Sequence, residues 1–488
     1  MNRFIIILLN LVILSSCTYA NDVLNDLLHQ HRPHLFATKN EFSPPIAVED
    51  MMRFSYLVNL DTNEVIRDEN GEPEIVTMEL LAKHNESYFA IKLKKDYTEL
   101  FGRTNKQNYK NSKPVVYARI KHVPEEKVLA LQYFFFYAGS YLAKALIPVQ
   151  LKWHEGDTEY AQILIHQNSL KVIGGSSSIH YYGQSLPSDQ LLRGEDGRVK
   201  MYIAQHSHAT YFMPSTGKGH QSMMGNLGFG GDNIFSLKTV YDVTKEDQAI
   251  DYDLRILSDE DLVFTWKGRW GAKKRLLKED KSAKAFELGP NSFGLRNAMS
   301  ESLSMFKDPV RFFYFYYYPS KMYQKLMLSL KKIKDEELLN EMIELVAAIG
   351  KSRASIDAYL RDNQDDLSAD QKMILSEVTP LVTLAYSQDR LDKIRAMGHK
   401  NLGVKAYNQL IKHLRSNQVK IIMKAMQSKN IKFNQKWGAA KDIYRLKKSD
   451  LMKFIVKLTG LDAKTVYHIY LDAHSTQIGD TLYKTFQK

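Results

Sequence analysis

The chain has 488 residues, a formal net charge of +12 at pH 7 and one cysteine. That length is sufficient for two or three domains, each able to bury an apolar core. A single cysteine excludes intramolecular disulfides, so the apolar cores alone must hold the fold. The positive charge favours anionic partners.

The first twenty residues have the pattern of a secretory signal. Arg3 supplies positive charge, and residues 4–14 are apolar except for Asn10. This run is too short for a transmembrane helix, which needs about 20 apolar residues. We therefore predict that the protein is exported. The anionic partners of an exported chain are membrane phospholipids or acidic glycans, and the compartment argues against nucleic acid.

The residues Leu14-Ser15-Ser16-Cys17 resemble a bacterial lipobox. This pattern predicts lipid attachment at Cys17 and a protein that is anchored to a membrane of the bacterial cell envelope. A second interpretation stays open, because Thr18-Tyr19-Ala20 is a small-x-small site for ordinary signal peptidase. Cleavage there would discard Cys17 with the signal peptide and release a soluble secreted or periplasmic protein.

The composition of the remaining chain changes along its length. Residues 21–45 form a polar spacer that ends at two prolines, and residues 46–290 have the features of a β domain. Residues 291–320 are a predicted connection to a helical region at 321–488. The predicted class is α+β, with an antiparallel β-sandwich followed by a C-terminal α-helical bundle.

Short apolar or alternating runs between turn residues indicate the strands of the β domain. The runs are Val115–Ile120, Val128–Tyr137, Tyr160–Ile165 and Val199–Ala204. Turns are predicted at Asn70-Gly71, Glu155-Gly156-Asp157, Gly174-Gly175-Ser176 and Asp196-Gly197. The aromatic residues 133–137 are typical of a strand that is buried on both faces. A membrane interface is the alternative.

In the helical region, apolar residues recur at three- and four-residue spacing, which predicts about six helices between residues 320 and 488. Ser368 and Gln371 form a predicted capping box. Pro380 is expected to kink or end its helix. The aromatic run Phe312–Tyr318 fits either a core or a membrane interface. The basic stretch Lys412–Lys457 fits either an amphipathic helix on an anionic membrane or a solvated helix face.

Common catalytic signatures are absent from the sequence, including the Gly-x-Ser-x-Gly elbow, the His-Glu-x-x-His helix and the phosphate-binding glycine loop. The candidate residues are polar groups in the β domain. Asp157 and Glu159 share a face of an extended segment, and a turn could fold His154 back toward them. These three residues form a candidate divalent-metal site for Ca²⁺, Mg²⁺, Mn²⁺ or Zn²⁺, and His206 and His208 are candidate ligand-binding residues nearby.

Two other interpretations of the acidic pair stay open. The residues can be polar turn residues that satisfy backbone groups at strand ends. Alternatively, the two carboxylates can be paired with cations such as Arg119 or Lys152 rather than with a metal ion, since neighbouring like charges need a positive group between them.

Residues 113–271 resemble the vacuolar-protein-sorting-sixty-two family. The resemblance rests on the order of five elements: Pro114-Val115-Val116-Tyr117-Ala118, the aromatic strand Gln132–Tyr137, the set His154, Gly156, Asp157 and Glu159, the segment Gln205–Phe212, and Trp266-Lys267-Gly268-Arg269-Trp270-Gly271. It covers about a third of the chain and does not account for the helical region.

The His-x-x-Asp-x-Glu spacing is also similar to that of the necrosis-and-ethylene-inducing-like cytolysins. That resemblance implies a β-sandwich whose metal site, with His154, Asp157 and Glu159 as ligands, engages sphingolipid head groups. The sequence departs from the cytolysin pattern at two points. Thr158 replaces a tryptophan, and residues 141–152 contain no acid, so a hard cation would have fewer carboxylate ligands.

These observations favour a non-enzymatic, lipid-anchored envelope protein that binds a ligand or a membrane surface. A metal-dependent envelope hydrolase, in which a carboxylate acts as general base beside the metal, is the first alternative. A structural interaction module without an active site is the second.

Overall fold

A computed structural model describes residues 24–37, 44–94, 113–141, 152–179, 182–203, 208–212, 249–272, 274–276, 292–293, 303–317, 330, 333, 335–398 and 448–474. The protein is a mixture of α-helices and β-strands, as the sequence predicts at this level. It divides into two compact units, residues 1–310 and 311–488. Among the described residues, no helix has the length and apolarity that crossing a bilayer requires.

The first unit contains the strands. In chain order these are β1 (His34–Phe36), β2 (Ser55–Asn59), β3 (Glu64–Val65), β4 (Phe89–Leu93), β5 (Val115–Val123), β6 (Val128–Tyr141), β7 (Lys152–His166), β8 (Val172–Ile179), β9 (Tyr182–Pro187), β10 (Lys200–Ile203), β11 (Thr210–Tyr211), β12 (Ala249–Ile250), β13 (Asp253–Ile256) and β14 (Lys274–Leu276). Its helices are α1 (residues 24–30), α2 (Val48–Arg53), α3 (Met78–Lys83) and α4 (Leu262–Thr265).

The largest sheet has seven strands in the order β13-β5-β6-β7-β8-β9, with β14 paired to β7. A four-stranded sheet has the order β11-β10-β1-β12, and a three-stranded sheet has the order β3-β2-β4. Pairing is antiparallel from β5 to β9. It is parallel between β13 and β5 and between β1 and β10, which departs from the predicted all-antiparallel pattern.

The long middle strands β6 and β7 have a buried side chain at almost every position, which is why they form continuous apolar runs in the sequence. On one face, Leu131, Tyr133 and Phe135 pack with Leu35 and Met201 of the four-stranded sheet. On the other face, the ring of Phe134 lies against an aromatic group formed by Phe264, Phe293 and Phe306. The prediction that residues 133–137 belong to the core is confirmed.

Two of the predicted turns are wrong. Residues 155–157 lie within β7 and residues 174–176 lie within β8. Their glycines are needed for close packing rather than for chain reversal. A Cβ atom at Gly175 would lie 2.7 Å from Cζ of Phe212, and one at Gly156 would lie 2.0 Å from the carbonyl oxygen of Trp270. Gly156 also has a positive φ angle, of 63°, inside its strand, whereas Gly71 and Gly197 have the positive φ angles expected of turn glycines.

The second unit is helical in its described residues. The helices are α5 (Pro309–Tyr316), which starts at the end of the first unit, α6 (Glu336–Asp362), α7 (Ala369–Tyr386), α8 (Gln388–Gly398), α9 (Lys448–Thr459) and α10 (Ala463–His474). The aromatic run at 312–317 lies in or directly after α5, and Phe312, Phe313 and Phe315 are buried. Most of the basic stretch 412–457 falls outside the described residues.

The capping box at the start of α7 is confirmed. The amide of Gln371 donates to Oγ of Ser368, and the amide of Ser368 donates to Oε1 of Gln371. Of the two outcomes expected at Pro380, an end of the helix is wrong, because α7 continues to Tyr386, and a kink stays a prediction. Proline lacks the N–H that would bind the carbonyl four residues earlier, at Ser376. Nη1 of Arg353 on α6 donates to that carbonyl at 3.0 Å and takes the place of the missing donor.

We expect Arg353→Leu to lower the free energy of unfolding by about 1–3 kcal/mol, because it leaves the carbonyl of Ser376 buried without its donor. In a Pro380→Ala background the restored N–H can bind that carbonyl, so the same change should cost less. Urea unfolding of the four chains measures this coupling. Equal costs in both backgrounds would contradict the proposed replacement.

Candidate functional site

Strand β7 carries the predicted acidic motif and turns both carboxylates toward the interior. Asp157 is paired with Tyr137 of β6, and Glu159 is paired with Phe135. Because side chains alternate along a strand, both acids lie on the face that packs against the four-stranded sheet. The exposed fractions are 6% for Asp157 and 0% for Glu159, so neither residue is a surface turn residue.

His208 joins Asp157 from 51 positions away along the chain. Its Nδ1 lies 2.9 Å from Oδ2 of Asp157, and its ring is stacked on that of Tyr137 with 3.8 Å between centroids. The imidazole is 1% exposed. His208 has a φ angle of 58° directly before β11, and this left-handed conformation sets where its side chain points. Since a carboxylate accepts hydrogen bonds, the proton of the imidazole lies on Nδ1.

Glu159 has a partner on the neighbouring strand. Oγ of Ser178 on β8 donates to Oε2 of Glu159 and accepts a hydrogen bond from the amide of Tyr160 at 2.8 Å. Ser178 therefore connects the carboxylate of Glu159 to the backbone of β7. The two acids of the motif are therefore each held by a named side chain from another part of the first unit.

His154 is held differently from the prediction, in a strand rather than in a turn. Its Nδ1 lies 2.5 Å from the carbonyl oxygen of Gly156, so Nδ1 donates and Nε2 is the nitrogen with the lone pair. Within the described residues, no three side chains of His, Cys, Asp or Glu are arranged to hold a metal ion. The prediction of a metal site at His154, Asp157 and Glu159 stays a prediction.

The tryptophan–glycine element packs directly on the motif. A Cβ atom at Gly271 would lie 1.9 Å from the carbonyl oxygen of Glu155, which matches the contact between Gly156 and Trp270. Oε2 of Glu155, a fully buried carboxylate, accepts from the amide of Ala272 at 3.2 Å. Residues 155–156 and 270–272 are thus in backbone contact, which fixes the start of the motif.

Of the two cations suggested as alternative partners, Arg119 pairs with a different acid. Arg119 forms an ion pair with Asp259, and its side chain lies on the opposite face of the sheet. The side chain of Lys152 is not among those that the structure describes. The imidazole of His208 occupies the position beside Asp157 that a lysine or arginine was expected to take.

Cys17 and His206 lie outside the described residues. Three residues in the site are not predicted from the sequence: Tyr137, Ser178 and Glu155. Glu155 stands next to the predicted ligands, where the sequence pattern favours a turn. Tyr137 is predicted only as a core aromatic residue, and the serines before residue 179 have no local pattern that indicates a contact with Glu159.

The arrangement has two chemical capacities. A buried imidazole whose Nδ1 donates to a carboxylate presents Nε2 as an acceptor toward a ligand proton or a cation. Three buried carboxylates near one strand end favour a cationic or hydrogen-bond-donating ligand. The site is assembled from β6, β7, β8 and the residues before β11, so its position depends on the packing of two sheets.

No family model matches this chain, and no curated protein matches it. Among solved structures, it is similar to necrosis and ethylene inducing protein 2 from the causal agent of witches' broom disease of cocoa, with 14% identity, a TM-score of 0.21, and coverage of 38% of this chain and 67% of that one. It is similar to NLPPya in complex with mannosamine, with 14% identity, a TM-score of 0.21, and coverage of 39% and 68%.

A third similar structure is a non-toxic HaNLP3 protein, with 16% identity, a TM-score of 0.21, and coverage of 38% and 68%. These neighbours belong to the group whose motif the sequence resembles, at low identity and over part of each chain. The comparisons do not show the vacuolar-protein-sorting-sixty-two family. TM-scores this low are too weak to transfer geometry or activity to this chain.

Proposed function

We propose that this chain is an exported, lipid-anchored envelope protein that binds a ligand or a membrane surface without catalysing a reaction. The binding site is the N-terminal part of β7, with Asp157 and His208 at its centre. The observation that carries the proposal is the buried Asp157–His208 pair stacked on Tyr137. Lipid attachment at Cys17 is part of the proposal, and Cys17→Ser would move the protein out of the membrane fraction.

The buried pair supports a binding role through its energetic cost. Removing a charged carboxylate from water costs several kcal/mol, and apolar residues of similar volume often stabilise a core as well or better. Ionisable groups that are buried together with a specific partner are enriched at functional sites. We infer that this pair is retained for what it contacts rather than for stability alone.

The fold in this proposal is a β-sandwich, antiparallel from β5 to β9, followed by a helical bundle. Its support is the shared apolar core of the seven- and four-stranded sheets. A relation to the vacuolar-protein-sorting-sixty-two family belongs to the same proposal and rests on the five sequence elements. The net charge of +12 supports an anionic partner, which is a phospholipid or glycan surface in this proposal.

The proposal also includes a divalent metal ion that binds at this site. Asp157 and Glu159 supply two carboxylates on one face, and His154 would use Nε2, since its Nδ1 donates to a backbone carbonyl as in many metal-binding histidines. Such an ion would bridge the negative site and an anionic head group. Both acids take hydrogen bonds from protein groups, so metal binding would require these side chains to rearrange.

Sedimentation with vesicles tests the proposal on the mature full-length chain. Vesicles of phosphatidylcholine, with and without phosphatidylglycerol, are compared in EDTA and in Ca²⁺, Mg²⁺, Mn²⁺ or Zn²⁺. We expect metal-enhanced binding to phosphatidylglycerol vesicles and a higher melting midpoint. A metal at 100 times its dissociation constant stabilises by about 2.7 kcal/mol.

Glu159→Gln and Asp157→Asn are expected to remove the metal response while the melt stays cooperative. Asp196→Asn, an exposed acid of the same unit that is paired with His34, is the matched control and should bind as the wild type does. If the metal ions change neither the melting midpoint nor vesicle binding, the metal ion is not part of the function. If the site variants also bind like the wild type, the chain functions as a structural module.

The hydrolase alternative is favoured by one observation. The carboxylate of Asp157 orients His208 through Nδ1, which is how an acid orients a histidine that acts as general base. Hydrolysis of p-nitrophenyl acetate or phosphate by the wild type, lost in His208→Gln, would replace the binding proposal with this one.

A further inference from the structure

A row of polar side chains crosses the face of the seven-stranded sheet opposite the candidate site. It has one residue from each of five neighbouring strands in direct register: Arg119, Gln132, Gln162, Ser176 and Ser185. None is more than 5% exposed. We call this set the polar row. Its members stand inside otherwise apolar strands, where packing alone would favour apolar residues.

The polar row is joined from end to end by hydrogen bonds. Nε of Arg119 donates to Oε1 of Gln132 at 2.8 Å, and Nε2 of Gln132 donates to Oε1 of Gln162 at 3.4 Å. Nε2 of Gln162 donates to Oγ of Ser176 at 3.3 Å, which lies 3.0 Å from Oγ of Ser185. This chain of bonds fixes the rotamers of both glutamines and directs their second N–H groups away from the row.

The second N–H groups of both glutamines, and one N–H group of Arg119, donate to a single segment, residues 303–309, which we call the strap. Arg119 donates to the carbonyl of Phe306, Gln132 to that of Met305, and Gln162 to that of Pro309 at 2.7 Å. The guanidinium of Arg119 also lies over the ring of Phe306, 3.2 Å from its centroid. Ser176 and Ser185 complete the row without a hydrogen bond to the strap among those that the structure describes.

The hydrogen bonds from the row to the strap go to main-chain carbonyls rather than to side chains. At residues 303–308 the strap has no regular secondary structure, so its buried carbonyls need partners from elsewhere. An apolar sheet face would pack the strap's side chains but would leave these carbonyls unsatisfied. Burial lowers the pKa of Arg119 to about 10, while the nearby carboxylate of Asp259 acts in the opposite direction, so the guanidinium stays charged at neutral pH.

We propose that the polar row is a clasp for the main chain of the strap, and that the strap opens as a unit while the sheet stays folded. The strap is not part of any strand ladder, so its release breaks no sheet pairing. It leads to Arg311, where the second unit begins.

Trypsin cleavage after Lys307 tests the clasp on the full mature chain. Lys307 is exposed, but cleavage requires the strap to leave the sheet, so its rate follows the opening equilibrium. Gln132→Leu with Gln162→Leu removes two of the donors to the strap. We expect cleavage at Lys307 to become about tenfold faster or more, since each lost bond shifts the opening equilibrium.

Ser185→Ala is the matched control, because it lies in the same row and makes no described contact with the strap; its cleavage rate should equal that of the wild type. Equal rates in the double variant and the wild type would overturn the proposal. So would cleavage within β5–β8 that is as fast as at Lys307, because the row would then hold the sheet itself.

If the double variant does not fold, hydrogen exchange on the wild-type chain decides. The amides of Lys307 and Asp308, which donate to Ser304 within the strap, should exchange faster than the amides of β6. Exchange at the same slow rate as β6 would show that the strap opens only with the sheet.

Discussion

Gly156→Ala is expected to produce the largest loss of stability among simple substitutions in the first unit. The new Cβ would lie 2.0 Å from the carbonyl oxygen of Trp270, and the residue has a φ angle of 63°. The left-handed conformation costs about 1–2 kcal/mol for alanine. Forced separation of two packed segments adds about 1–3 kcal/mol. Together these effects should lower the free energy of unfolding by about 2–5 kcal/mol.

Urea unfolding of the mature chain measures this change, and Gly71→Ala is the matched control. Gly71 has a φ angle of 80°, but a Cβ atom added there would have no atom within 4 Å, so only the conformational cost remains. If the two alanine variants lose the same free energy, residues 155–156 and 270–271 separate easily. In that case the tryptophan–glycine element does not fix the start of the motif.

Asp157→Ala is expected to lower the free energy of unfolding by about 1–3 kcal/mol, because it leaves the buried Nδ1–H of His208 without the carboxylate that accepts from it. Asp157→Asn retains an oxygen that accepts from Nδ1 of His208, so it should cost less. The double variant Asp157→Ala with His208→Ala should cost less than the sum of the single changes, because each single change already removes the shared interaction. Urea unfolding of the wild type, the two single alanine variants and the double variant gives the coupling energy.

The chain contains a matched pair for this comparison. Nε2 of His34 lies 2.9 Å from Oδ1 of Asp196, the same separation as in the buried pair, but these side chains are 26% and 44% exposed. Asp196→Ala should therefore cost only about 0–1 kcal/mol. A similar cost for the two aspartates would mean that burial does not strengthen the Asp157–His208 interaction.

The exposed pair also has a defined pH dependence. A hydrogen bond from His34, reinforced by bonds from Arg198, holds the pKa of Asp196 well below its usual range. A carboxyl group whose pKa is lowered by folding stabilises the protein above its unfolded pKa, near about 4, and loses that contribution as the pH falls further. The effect of Asp196→Ala should accordingly be present at neutral pH and disappear in strong acid.

Much of the local structure could be predicted because it depends on neighbouring residues. Continuous apolar runs located β5, β6 and β7, and the spacing of Ser368 and Gln371 located a helix start. The alternation of a strand placed the side chains of Asp157 and Glu159 on one face. Each of these predictions uses a period or a spacing of a few residues.

Predictions failed where a distant group changed the meaning of a local pattern. Gly156 is typical of a turn by its neighbours, yet it lies in a strand, and glycine is required there because Trp270 leaves no room for a Cβ atom. Pro380 normally ends a helix, yet the helix continues because Arg353 binds the carbonyl that proline leaves without a donor. In both cases the deciding partner is distant along the sequence, so no local pattern reveals it.

The sequence by itself determined that strands dominate the first unit and helices the second. It also determined that two acidic side chains share one face of β7, because periodicity and side-chain type act locally. Only the tertiary structure decided that His208 is the partner of Asp157, that Ser178 is the partner of Glu159, and that Gln132 and Gln162 bind the strap. A buried polar group must find a partner wherever the fold brings one within reach, and no spacing in the sequence encodes that distance.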